Sequence, residues 1–140
     1  MARAWHHLPV SAIAVLWNLL LLGDFLGLLL KAPIYMSWLT PEQAAWYAAT
    51  PYWVLIVWAI AVGTGVLASI LLVSRMATGA FFALSFLAWV VVAVAMEILR
   101  DPSVSTVMGD RSLWLLGAAI VLAFLFFLYA RAMHARLRRP

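Results

Sequence analysis

The sequence predicts an all-α integral membrane protein: a bundle of four transmembrane helices with a short interfacial helix in the first outer loop. Composition is the first observation behind this fold class. Hydrophobic residues make up 68% of the chain and charged residues 10%, with a mean hydropathy of +1.08, against roughly 45–50% apolar content in soluble domains. The second is four apolar runs, each long enough to cross about 30 Å of hydrocarbon at about 1.5 Å per residue. The third is the placement of charge, which falls between those runs except for Asp24, well inside the first, and Glu97, near the end of the third. With 140 residues in all, the chain reads as a single four-helix transmembrane domain over residues 1–140, with no room for a separate catalytic domain.

The first span is expected over residues 8–30. Arg3 before an apolar run resembles a signal peptide, but the run exceeds the usual 7–15 residues or so and no small-x-small cleavage site follows it, which predicts an uncleaved helix. The second, over 52–73, opens behind Pro51, tolerated there because the first N–H groups of a helix have no intrahelical partner. The third, over 79–99, follows Thr78 as a candidate N-cap, and the fourth, over 113–130, follows Ser112. Each span is apolar on all sides, as expected for helices that face lipid on one side and neighbours on the other. No internal repeat is evident.

Orientation follows from the arginines. Arg3, Arg75, Arg131, Arg136, Arg138 and Arg139 lie on one side without any acid, whereas the other two loops mix Lys31, Arg100 and Arg111 with Glu42, Asp101 and Asp110. Both termini are therefore expected in the cytoplasm. The basic tail reads as a topology determinant and lipid-headgroup contact; nucleic-acid binding is not expected, because no aromatic interleaving accompanies it.

In the first outer loop, Thr40-Pro41-Glu42-Gln43 combines a capping threonine, a first-turn proline, an acid at the helix N-terminus and a glutamine at the reciprocal capping position. The helix it starts carries Trp46 and Tyr47. With Tyr35, Trp38, Tyr52 and Trp53 it reads as an interfacial aromatic belt, or alternatively as a lid over a cavity containing Asp24.

Asp24 is the candidate site. A carboxylate within a membrane helix costs roughly 2.5–3.5 kcal/mol on insertion scales and has to face a partner, a cavity or its own proton. Three roles are open: interhelical glue, with Asn18 and Asp24 bonded to Thr64, Ser69 or Ser85; a protonatable or solute-binding carboxylate; or a lipid-exposed group. Asn18 sits about 120° from Asp24 around the helix, so the two address different neighbours, while Lys31 lies only about 20° away and could reach Asp24 by snorkelling. Glu97, with Arg100 three residues on, reads as a local ion pair, or else as a second inward carboxylate beside Asp24 whose pKa would be pushed up. Gly23-x-x-x-Gly27 and Ala61-x-x-x-Gly65-x-x-x-Ser69 are candidate helix-packing stripes, expected to pair the first two spans with Asp24 turned toward protein.

Other chemistry is thinly represented. The sequence has no cysteine, excluding disulfide relays and thiolate metal sites. His6, His7 and His134 fall at the terminal edge with no flanking carboxylate, so no metal is expected, and no histidine lies where it could ligate haem inside the bundle. Neither a phosphate loop nor a nucleophile with a base is present; no enzyme activity and no cofactor are expected.

Leu16-Trp17-Asn18 followed by Asp24, together with Thr40-Pro41-Glu42-Gln43, Pro51-x-Trp53, Trp58-Ala59-Ile60 and Tyr129-Ala130-Arg131-Ala132-Met133, resembles a group of small four-helix inner-membrane proteins of Alphaproteobacteria, sometimes catalogued as sugar transporters. The resemblance covers nearly the full length and implies a four-helix fold in the inner membrane. It supplies no site residues, and Phe25 stands where such proteins often have tyrosine. Two functions are expected from different classes. The favoured one is a non-catalytic accessory or assembly subunit of a larger membrane complex; the alternative is a small-solute transporter, proton-coupled or not, acting as a homo-oligomer. In either case a surface is left for self-association or a partner, because the small-residue faces at Gly23/Gly27, Ala61/Gly65/Ser69 and Gly117-Ala118-Ala119 compete for neighbours.

Overall fold

A computed structural model describes residues 5–137. Its long helices are α1 (His7–Leu29), α4 (Tyr52–Val73), α5 (Gly79–Val94), which runs on as a π-helical turn (Ala95–Leu99), and α7 (Arg111–Leu137). Short helices α2 (Pro33–Ser37), α3 (Pro41–Ala48) and α6 (Val104–Met108) fill the loops. Four helices are long and apolar enough to cross a membrane, and the chain is a small multi-pass membrane protein embedded in lipid. Two ends of the bundle can be told apart. The loop end carries 30–51 and 100–110; the terminal end carries the start of α1, the end of α7 and the turn at Arg75.

The long helices pack in a row, α1 on α4, α4 on α5 and α5 on α7, while α1 and α7 make only sparse contact. The α1–α4 seam is built on small residues. Gly65 is buried, and a Cβ there would fall on Asn18 Oδ1. Asn18 Nδ2 in turn donates to Ser69 Oγ at 2.9 Å and to Ala14 O at 2.8 Å. Ser85 Oγ, from α5, donates to Ala61 O at 2.8 Å on the same α4 stripe. These bonds replace water that lipid cannot supply.

Helix ends follow local chemistry, with exceptions. The capping box forms at α3, Gln43 N–H donating to Thr40 Oγ1 and Thr40 N–H to Gln43 Oε1. Thr78 does not cap α5; its hydroxyl donates to Ala68 O at 2.8 Å, tying the turn to α4 instead. Helices α1 and α4 both end in Schellman turns, Ala32 N–H to Gly27 O and Met76 N–H to Leu71 O. Lys31 and Arg75 occupy the left-handed position, at φ 52° and 58°, where glycine is usual. Basic side chains suit a helix C-terminus.

The fourth span is longer than hydropathy suggests, since α7 runs from Arg111 to Leu137 and carries Arg131 and Arg136 on its last turns. Arg3, Arg138 and Arg139 lie outside the described residues.

Candidate functional site

Because α1 and α7 diverge toward the loop end, they leave a cleft of about 300 Å³ in that half of the bundle. The seam is closed at the other end, where His6 Nδ1 meets Tyr129 Oη at 2.9 Å and Ala14, Phe126 and Ala130 share one apolar cluster. Trp17, Leu20 and Asp24 of α1, Trp58 of α4 and Trp89 of α5 line the cleft, and α7 contributes Ser112 and Leu116. Tyr47 of α3 enters it from the loop end. The wall is thus aromatic and aliphatic, with one acid and two hydroxyls.

Asp24 remains exposed on this wall, and no described residue hydrogen-bonds its carboxylate. The interhelical bonding that the sequence offered to both polar groups of α1 is carried by Asn18 alone. Thr64 donates within its own helix, to Ile60 O, and Ser69 and Ser85 are engaged on α4. Lys31 is absent from the cleft lining and borders two smaller pockets, one between α2 and α3 and one between α1, α3 and α4, because the left-handed turn carries it off the helical phase that would bring it to Asp24.

Glu97 is neither Arg100's partner nor Asp24's. Its two carboxylate oxygens accept from Ser105, from the hydroxyl at 2.6 Å and from the backbone N–H at 3.0 Å, and so anchor the start of α6. Arg100 reaches the other way. It donates to Trp46 O at 2.7 Å and Thr50 Oγ1 at 3.1 Å, with its guanidinium 3.7 Å from the Trp46 ring centroid. The π turn at 95–99 separates the two directions: Arg100 N–H bonds Ala95 O at 3.1 Å, and the widened turn breaks the helical spacing on which an i, i+3 ion pair depends.

The glycine stripes divide in the same way. Gly65 and Ser69 lie in the α1–α4 seam. Gly27 packs against the Tyr35 ring of α2, not against α4, and a Cβ on Gly23 would meet nothing within 4 Å. The expected pairing through Gly23/Gly27 is therefore corrected: α1 approaches α4 on the face of Ala14 and Asn18, leaving Asp24 toward the cleft.

A cap built from α3 and α6 covers the loop end. Trp46 Nε1 donates to Pro102 O at 2.9 Å and Gln43 Nε2 to Val107 O at 3.2 Å. Trp46 is buried in this joint, while Trp38, Tyr52, Trp53 and Trp114 remain exposed at the same end, where an aromatic belt belongs. The cap fixes Tyr47 beside Trp58, with ring centroids 6.3 Å apart. Burial pushes the Tyr47 phenol up to about 12; the charge of Asp24 adds to the rise and Arg100 opposes it. Tyr47 is thus a neutral hydroxyl at any physiological pH. Its raised pKa means that the folded protein holds this proton more tightly than the unfolded chain, so stability is full below pH 10 and declines toward pH 12. Tyr47→Phe should flatten that part of the stability profile, as read by unfolding at stepped alkaline pH; an unchanged slope would show that Tyr47 titrates normally.

Trp58 adds a feature that the sequence could not signal. Its indole N–H is buried without an acceptor, although the residue lines the cleft and its ring lies 5.0 Å from that of Phe25. At the terminal end, both ring nitrogens of buried His7 also lack partners. Among the described residues no three His, Cys, Asp or Glu side chains converge as a metal site. No protein-family model matches the chain, and neither a curated protein nor a solved structure shows significant similarity to it.

Proposed function

We propose that this is a protein of the bacterial inner membrane, with both termini cytoplasmic, that binds a small amphipathic solute in the loop-half cleft and carries it across the bilayer as a homo-oligomer. The observation that carries this reading is Asp24: an ionisable group within a membrane helix, on the wall of an aromatic cleft, with no hydrogen bond from any described residue. Such a group is costly unless something else meets it. A cleft of about 300 Å³ lies at the small end of ligand pockets, which run from roughly 300 to 1,000 Å³. The other half of the bundle is plugged by apolar packing and the Asn18–Ser69 bond, so a complete path requires a second copy. Arg75, Arg131 and Arg136 at the terminal end support the orientation.

A second reading, an accessory or assembly subunit of a larger complex, is favoured by the outer face of α7. A groove there is lined by Leu113, Trp114, Gly117 and Ala118, and a Cβ on Gly117 would meet nothing. Such a small-residue face suits another helix.

The chain has no native thiol, so single cysteines report occupancy directly. Leu116→Cys lies in the cleft and Trp114→Cys on the outer face of α7. In lipid nanodiscs, at least one of three small aromatic solutes (benzyltrimethylammonium, neopentylbenzene or benzenesulfonate) should slow thiosulfonate labelling of Leu116→Cys and leave Trp114→Cys unaffected. Protection by none of them, with larger subunits co-purifying in mild detergent, would replace the transport reading by the accessory one.

A further inference from the structure

We infer that the cleft takes a small hydrophobic organic cation, an amine or quaternary ammonium, with Asp24 as its counter-ion and the rings of Trp17, Trp58 and Trp89 against its apolar groups. The inference rests on the reading of the cleft as a solute site and adds the chemical class.

Charge selects the class first. Among the described residues Asp24 is the only carboxylate on the wall, and no Lys or Arg lines it. The two nearby cations are otherwise placed: Arg100 is held on Trp46 and Thr50, and Lys31 borders two smaller pockets beside α3 rather than the cleft. An anionic solute would meet like charge in a medium of low dielectric, where repulsion is poorly screened. A neutral polyol such as a sugar would need a ring of donors and acceptors, yet the wall offers only the Tyr47 and Ser112 hydroxyls beside Asp24 among aliphatic and aromatic groups. Each unpaired hydroxyl of a buried sugar would give up its hydrogen bonds to water without replacement.

The rings complete the argument. Three indoles and the phenol of Tyr47 converge on one cleft with the carboxylate. Indole faces attract cations, and the attraction grows as water is excluded. An organic cation satisfies both parts of this wall at once, its charge meeting Asp24 and its alkyl or aryl groups meeting the rings. A hydrated metal ion would leave the aromatic surface unused.

The test uses the full-length chain with Leu116→Cys in nanodiscs. Benzyltrimethylammonium carries a fixed charge, and neopentylbenzene is its neutral isostere. The cation should halve the labelling rate at a free concentration roughly tenfold lower than the neutral compound, corrected for partition into lipid. Adding Asp24→Asn should abolish that advantage while leaving the thermal unfolding midpoint in place, since no described residue hydrogen-bonds the carboxylate. Trp17→Leu, at a half-buried ring, is the independent variant and should weaken protection by the cation several-fold. Equal protection by the two compounds, or a cation advantage that survives Asp24→Asn, overturns the cation assignment and leaves the cleft as a solute site. Protection by neither compound nor by benzenesulfonate overturns both.

Discussion

Replacing Gly65 by valine should destabilise the protein by about 3 kcal/mol, among the largest effects expected of any single substitution. The new Cβ would occupy the place of Asn18 Oδ1, and overpacking a fitted seam costs roughly 1–3 kcal/mol. Displacing Asn18 also breaks its bond to Ser69, worth about 0.6 kcal/mol on average and up to about 1.7 between membrane helices. The crowding is two-sided, because the same Cβ would also lie 3.2 Å from Ser85 Oγ of α5. SDS titration in mixed micelles measures the loss. Gly23→Val provides the contrast: a Cβ there meets nothing, so its unfolding should stay within about 0.5 kcal/mol of the parent. Similar losses at both positions would mean that α1 presents its other face to α4.

Arg100→Leu should cost about 2–3 kcal/mol and loosen the whole cap at the loop end. Two charge-assisted bonds are lost, to Trp46 O and Thr50 Oγ1, together with the contact over the Trp46 ring. Partial exposure of the arginine keeps the figure below the sum of those contributions. Lysine restores the charge but lacks the planar fork that reaches two acceptors while lying on a ring, so Arg100→Lys should recover less than half. The functional consequence is separable from stability. Tyr47 follows Trp46 on α3, so a loosened cap should make Leu116→Cys label faster without any solute present. Unchanged labelling in a destabilised Arg100→Leu protein would show that the cap does not cover the cleft.

The elements legible in the sequence are those decided over short distances or by solvent. The spans expected at 8–30 and 52–73 correspond to helices at His7–Leu29 and Tyr52–Val73, because in hydrocarbon a long apolar run has no alternative to pairing its own backbone. The Thr40/Gln43 box was readable because both of its bonds close within four residues. Helices α2 and α6, of five residues each, are too short to display a periodicity. The i, i+3 spacing of Glu97 and Arg100 misleads for a different reason: a π turn lies between the spacing and the outcome, and their actual partners are Ser105, Trp46 and Thr50.

Rotation of each helix about its own axis is the quantity that the sequence leaves open. A soluble helix declares its buried face by polarity, but these four are apolar all round, since lipid and protein interior are equally dry. Small-x-x-x-small patterns name surfaces that permit close approach without naming the neighbour, which is why Gly65 and Gly23 look alike in sequence and differ in the bundle. The sequence by itself therefore determined that this chain forms four helices long and apolar enough to cross a membrane, and that Asp24 lies inside one of them. Only the tertiary structure decided that Asn18 takes the interhelical bonds while Asp24 faces three tryptophans and Tyr47. That choice depends on how side chains from four separate helices fit together, and hydropathy carries no record of it.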